Sequence, residues 1–326
     1  MNEAYAFILR KTGGPEVLAP EPIDIPRPGP GQVLVRNEAV GLNFIDTYHR
    51  SGLYKVPLPS GLGNEGAGTV LAVGEGVEEF REGNRVGYFS GPLGAYATHR
   101  LVEAERLVKL PEGVSFEQAA AAMLKGCTAE YLIERCARVQ PGETVLVHAA
   151  AGGVGSILVP WLKHLGALVI GHAGDSRKAV LAKELGADHA LCCPMDQLAA
   201  EIRSLTEGKG VPIVLDGVGK ASWAASLGSV ARRGLIVTYG NASGPVPPFT
   251  ALDLLSAGSI FVTRPTLADY CRTSEEIRAS AARLFELIEK GVLAIRIGAR
   301  FPLRDAAAAH RAIEARATTG STVLIP

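Results

Sequence analysis

With 326 residues, 47 % hydrophobic and 20 % charged, the chain is long enough for two packed cores and has the make-up of an ordinary globular protein. Its 33 basic and 33 acidic residues cancel to zero formal charge and no basic run occurs, so no nucleic-acid partner is expected. No run of 18 apolar residues appears, and the start MNEAYAFILRKTGG is too short and polar for a signal peptide, so a cytoplasmic protein without a membrane segment is expected.

The five cysteines (127, 136, 192, 193 and 271) are odd in number and contain no C-x-x-C pair. Free thiols in a reducing compartment fit that pattern. Adjacent Cys192 and Cys193 do not bridge comfortably.

Residues 1–110 read as β-rich. Runs such as QVLVRNEAV (32–40) and GAGTVLAVGEGV (66–77) are punctuated by glycine and proline. The four prolines of 21–32 predict an irregular or edge connection. The loop GLNFIDTYHRSGL (41–53) crowds Asn43, Asp46, Tyr48 and His49 together without a cysteine or a full set of metal ligands. Asp46 precedes a helical turn and reads better as a cap than as a base. Near 115 an alanine-rich helix begins, with Ser115 and Gln118 in capping-box register.

From 143 a rhythm sets in. Six apolar runs alternate with helical patterns, which predicts a parallel sheet covered on both faces. The first run, VLVHAAAGGVGS (145–156), enters Gly152, Gly153, Val154 and Gly155 and then a helix. Small residues let a backbone approach a pyrophosphate, and the helix start offers N–H groups and a positive dipole end. Pro160 should kink that helix.

The second run ends VIGHAGDSRK. No acid follows it until Asp175, beyond Gly174, and Ser176, Arg177 and Lys178 come next. A ribose hydroxyl wants an acid there, whereas a 2′-phosphate wants donors and positive charge. The pattern points to NADPH, with helix capping by Asp175 and Ser176 as the alternative. Past 263, Thr273 and Glu276 form a capping box, Ile277, Ala281, Leu284 and Ile288 one face, and Gly291 a C-cap. The expected organisation is an inserted dinucleotide-binding domain at 124–262, with 1–123 and 263–326 building the other domain.

Taken together, GGPEVL (13–18), GLNFIDTYHRSGLY (41–54), GLGNEGAGTV (61–70), HAAAGGVGS (148–156), VLDGVG (214–219), YGNASG (239–244), VTRPTL (262–267) and ARATTGSTVLIP (315–326) resemble the zinc-free, zeta-crystallin-like quinone oxidoreductases of the medium-chain dehydrogenase/reductase superfamily. The resemblance implies an α/β fold: a β-rich GroES-like catalytic domain plus a Rossmann-type doubly wound sheet of six parallel strands. It implies an NADPH:quinone oxidoreductase acting on a small quinone, and a homodimer paired through the last strand of that sheet. An enone reductase of the same fold, or an RNA-binding or structural role, are the alternatives.

By the same resemblance, the zinc ligands of related dehydrogenases fall at Asn43, Asn64 and about Leu124, so no metal is expected. Asn43 and Tyr48 are implied as catalytic donors beside the nicotinamide. Thr128, Gly217, Val218, Gly240, Asn241, Ser243, Arg264 and Arg316 are implied as cofactor contacts, beside Gly152, Gly153, Val154, Gly155, Gly174, Ser176 and Lys178. Two departures stand out: Cys193 replaces a tyrosine that frames the adenosine phosphate, and Glu130 places an acid near the cofactor, where it needs solvent or a base.

Overall fold

A computed structural model describes residues 4–326. The chain forms two compact units, Met1–Cys127 with Cys271–Pro326, and Thr128–Tyr270.

The first unit is β-rich. Its main sheet has seven strands, centred on the long strand Gln32–Leu42, which pairs antiparallel with Glu65–Val73, with His99–Glu103 and with the C-terminal strand Ser321–Ile325. Alternating apolar residues of these strands point into one core around Val33, Val35, Val40, Leu62, Val86 and Leu324, all fully buried. The proline-rich segment contributes only Pro20–Pro22, at the edge of a small three-stranded sheet, because proline cannot serve a central ladder. The expected capping boxes form. Ser115 N–H donates to Gln118 Oε1 (3.0 Å) and Gln118 N–H to Ser115 Oγ (3.1 Å). Thr273 caps the helix Ser274–Glu289, whose buried stripe is Ile277, Ala281, Leu284, Phe285 and Leu287. Ile288 is only half-buried, since Leu287 takes the inward position there.

The second unit is a six-stranded, all-parallel sheet in the spatial order His189–Leu191, Leu168–His172, Thr144–His148, Val211–Asp216, Val230–Thr238, Phe261–Thr263. All six expected runs become strands. The order reverses beside Thr144–His148, the switch point where such sheets bind ligands at the strands' carboxyl ends. The helix that begins at Phe116 ends as a π-helical stretch, Tyr131–Cys136, which the sequence pattern does not signal. The helix Gly155–His164 runs unbroken through Pro160. Among the described residues no helix is long and apolar enough to cross a membrane.

Candidate functional site

In the parallel unit the site is made mostly of backbone. Leaving the strand Thr144–His148, the chain turns at Ala149 (φ +51°), and Gly152 N–H donates to the Ala149 carbonyl at 2.8 Å. A Cβ on Gly155 would lie 2.3 Å from that same carbonyl oxygen, and one on Gly152 would lie 3.1 Å from it. Glycine is therefore a steric requirement at 155, where the helix start presses on the turn, and a close fit at 152. Gly174 has nothing within 4 Å of where a Cβ would be, so the end of the second strand opens onto space.

Asp175 is the N-cap of the helix Ser176–Glu184. Its Oδ1 accepts Lys178 N–H at 2.8 Å, and Lys178 Nζ lies 3.7 Å from its Oδ2. The capping alternative is thus realised for Asp175, while Ser176 and Arg177 are exposed at the helix start.

The next two strand ends meet backbone to backbone. A Cβ on Gly240 would sit 2.4 Å from the Gly217 carbonyl oxygen, and one on Gly217 would strike the Tyr239 ring at 2.8 Å. Ser243 is fully engaged in this loop pair: its hydroxyl accepts Ala221 N–H (2.8 Å) and donates to the Val218 carbonyl (2.8 Å). The organiser is Asp216, fully buried and not singled out from the sequence. Its Oδ1 accepts Val218 N–H at 2.8 Å and Gly219 N–H at 3.2 Å. Ser222 Oγ and Ser226 Oγ donate to its Oδ2, each at 2.7 Å. Ser226 Oγ also meets His148 Nε2 at 2.9 Å, tying the loop to the strand that leads into the glycine turn. A lone acid closing the apolar run VPIVLD was the available signal.

Thr128 is buried, and Glu130 is ion-paired with Arg135 at 2.7 Å, so the unexpected acid does have its base. Arg264 is exposed and donates to the Pro265 carbonyl at 3.1 Å. Cys193 lends its carbonyl to His172 Nε2 at 3.0 Å.

In the β-rich unit the site is made of side chains. Asn43 starts the helix Phe44–Ser51, and the Asp46 carboxylate accepts its N–H at 2.9 Å, which makes Asp46 part of a cap as expected. Burial pushes the Asp46 carboxyl up to about 6, against bonds from Asn43, Asn64 and Tyr96 that favour its charge. Tyr48 is buried with its ring 5.2 Å from that of Tyr54, and His49 is held low by burial.

Asn43 Nδ2 donates to Glu65 Oε1 at 2.7 Å. The same oxygen receives Lys125 Nζ at 3.0 Å, and Glu65 Oε2 receives Leu124 N–H at 2.7 Å. Asn64 Nδ2 donates to Asp46 Oδ1 at 2.7 Å. Each of these two amides thus faces a carboxylate, and the Glu65 charge is balanced by a buried ammonium. Zinc would need carboxylate, thiolate or imidazole ligands converging on one point. These residues do not fit that, and no group of three such residues suited to a metal exists among the described residues. Gly41 makes the arrangement possible, since a Cβ there would lie 2.3 Å from Glu65 Oε1. Glu65 and Lys125 were missed from the sequence because neither lies near Asn43 in the chain. Arg316 also belongs to this unit. It is exposed, with φ +56°, just past the helix Ala306–Glu314.

A doubly wound parallel sheet with a glycine turn at its switch point, joined in one chain to a β-rich unit with a buried polar loop, defines a two-domain dehydrogenase or reductase. Residues 29–112 match the alcohol dehydrogenase GroES-like domain, and residues 153–287 the zinc-binding dehydrogenase family. A quinone oxidoreductase of Pseudomonas aeruginosa is 52 % identical over 315 residues, covering 96 % of this chain and 97 % of that protein. A 2-haloacrylate reductase of a Burkholderia species is 44 % identical, with 98 % of each covered. The crystal structure of Escherichia coli quinone oxidoreductase complexed with NADPH superposes with a TM-score of 0.96 at 44 % identity, covering 99 % of this chain and 100 % of that one. The chain belongs to the quinone oxidoreductases of the medium-chain dehydrogenase/reductase superfamily, and it is an oxidoreductase.

Proposed function

We propose that this protein reduces quinones with NADPH and without zinc. The carrying observation is that Asn43 and Asn64, where the resemblance places zinc ligands, each turn an amide onto a carboxylate. A site with no Lewis acid suits an acceptor that is already electron-poor, and a quinone is one. NADPH, when bound, supplies the hydride.

The residues of this chain do the rest. The turn at Gly152, Gly153, Val154 and Gly155 would hold the pyrophosphate, the Gly152 N–H being already given to the Ala149 carbonyl. Ser176 and Lys178, with Asp175 spent on the helix cap, receive the 2′-phosphate. Thr128, the loops at Gly217–Val218 and Gly240–Asn241, and the exposed Arg264 and Arg316 complete the dinucleotide contacts. Ser243 supports them through the loop it clips together. Asn43 Nδ2 gives one N–H to Glu65 and has a second for a quinone oxygen, and the Tyr48 hydroxyl is the second proposed donor. The acceptor is held in place and the growing negative charge on its oxygen is met by two neutral donors.

Steady-state oxidation of NADPH and NADH with ortho- and para-quinones, with and without chelator, tests this. Equal use of NADH ends the cofactor preference, and loss of activity on chelation ends the zinc-free reading. Unchanged turnover in an Asn43→Ala, Tyr48→Phe double variant removes those roles. The similarity to a 2-haloacrylate reductase favours a second reading, reduction of an activated alkene, and faster turnover of enones than of quinones in the same assay would establish it.

The assembly belongs to the same proposal. Phe261–Thr263 is an edge strand whose Phe261 is 63 % exposed, and Leu252 and Leu255 of the preceding helix Ala251–Ser256 are 69 % and 62 % exposed. An apolar open edge suits pairing with a second copy of the chain. None of the five cysteines is in a disulfide, which suits a reducing, cytoplasmic setting.

A further inference from the structure

The helix Phe44–Ser51 carries two buried charges of opposite sign, Asp46 and Arg50, one turn apart. They are joined through two side chains from remote parts of the chain. Arg50 Nη1 lies 3.1 Å from His310 Nδ1, His310 Nε2 lies 3.0 Å from Tyr96 Oη, and Tyr96 Oη lies 3.1 Å from Asp46 Oδ2. None of the four is more than 2 % exposed.

The direction of every bond follows from the first. A guanidinium has donors only, so His310 Nδ1 must accept. A neutral imidazole with a bare Nδ1 carries its hydrogen on Nε2, which therefore donates to Tyr96 Oη. The hydroxyl hydrogen of Tyr96 is then directed at Asp46 Oδ2. The other tautomer would set N–H against N–H at Arg50. Burial and the adjacent Arg50 charge keep the ring neutral, with His310 pushed down to about 3. At its outer end Arg50 is ion-paired with Glu314 and donates Nε–H to the Gly13 carbonyl at 3.1 Å. At the inner end Asp46 holds the Asn43 N–H and the Asn64 amide.

We propose that Tyr96 and His310 are positioning residues. With Arg50 and Asp46 they form a one-way hydrogen-bond relay that fixes the helix Phe44–Ser51, and with it Asn43 and Tyr48, for the reductase reaction. This rests on the reading that Asn43 and Tyr48 serve the quinone.

Two measurements test it. In the intact protein, nitrogen-15 shifts of His310 at neutral pH are expected to show a protonated Nε2 and a bare Nδ1. In quinone turnover, Tyr96→Phe and His310→Leu are expected to lower kcat by roughly ten- to a hundredfold with an unchanged circular dichroism spectrum, the loss typical of a reacting group displaced by a fraction of an ångström. His310→Gln keeps an acceptor for Arg50 and a donor for Tyr96, and should stay within about threefold of the native rate. A protonated Nδ1, near-native turnover in Tyr96→Phe, or a glutamine variant as poor as the leucine one each overturns the relay. Should His310→Leu fail to fold, Tyr96→Phe, which removes a single oxygen, decides. If the native chain reduces no quinone, the functional reading fails instead, and the nitrogen pattern still decides the relay.

Discussion

The two units hold their functional loops by opposite means. In the parallel unit the turn at 152–155 and the meeting of Gly217 with Gly240 depend on backbone contacts that only glycine permits, and the buried acid Asp216 braces the loop that follows it. In the β-rich unit the loop at 41–53 is fixed by buried polar side chains that reach it from Glu65, Tyr96 and His310, with Lys125 behind Glu65. Steric exclusion acts through backbone atoms held at fixed distance and tolerates almost no substitution. A buried polar network acts through partners that can be exchanged, provided each donor and acceptor stays satisfied.

Breaking one partner of the buried pair at the Asn43 loop should have the largest effect. Lys125→Met leaves Glu65, 0 % exposed, without its counter-charge and is expected to cost about 3–5 kcal/mol in chemical denaturation. Adding Glu65→Gln removes the unpaired charge and keeps one acceptor oxygen, for Leu124 N–H, while its amide then faces the Asn43 amide, so it should recover part of that loss. A double variant no better than the single one would show that the lysine acts through packing instead.

On the other side of the comparison, Gly155→Ala forces a methyl to within 2.3 Å of the Ala149 carbonyl. The expected cost is about 3 kcal/mol, at the upper end for overpacking, with weakened NADPH binding in a fluorescence titration. Native affinity in this variant would mean that the turn can yield.

The relay has a signature in pH. Folded His310 stays neutral down to about 3, while unfolded histidine takes up a proton near 6.5. Between those values the unfolded state binds more protons, so His310 lowers stability as pH falls. Asp46 works in the other sense: its folded value of about 6 lies above its ordinary 3.8, and its contribution grows as pH falls through that window. Substituting His310→Gln removes only the first effect. Relative to the native protein, the variant should gain about 2 kcal/mol between pH 7 and pH 5 in paired denaturation curves. A constant difference would mean that His310 titrates normally.

The smallest effect is expected at the second strand's end. Asp175→Ala removes the helix N-cap at a cost of about 1 kcal/mol, with little change in the ratio of NADPH to NADH use. A large rise in that ratio would show that the carboxylate also faces the ribose.

The same contrast explains what could be read from residues alone. Six apolar runs with helices between them dictate a parallel sheet, because each run must be covered on both faces. Gly152, Gly153 and Gly155 announce a close backbone approach, because their constraint is local. The capping boxes at Ser115 and Thr273 are likewise short-range. Asn43, Asp46 and Tyr48 could be named as a group, and Asp46 sorted as a cap, from spacing within one helical turn. Their partners could not. Nothing near His310 in the chain distinguishes it from a solvated helix residue, and Tyr96, to which it bonds, lies 214 positions away. Glu65 and Lys125 stand 60 positions apart.

The sequence by itself therefore determined the class of sheet, the glycine turn at its switch point and the helix caps. Each of these depends on residues within a few positions of one another, or on the residue type at a single position. Only the tertiary structure decided that Ser226, bonded to Asp216, meets His148, that Glu65 is neutralised by Lys125, and that Arg50 is linked through His310 and Tyr96 to Asp46. Those are bonds between side chains far apart in the chain, and only the folded core removes the water that would otherwise satisfy them.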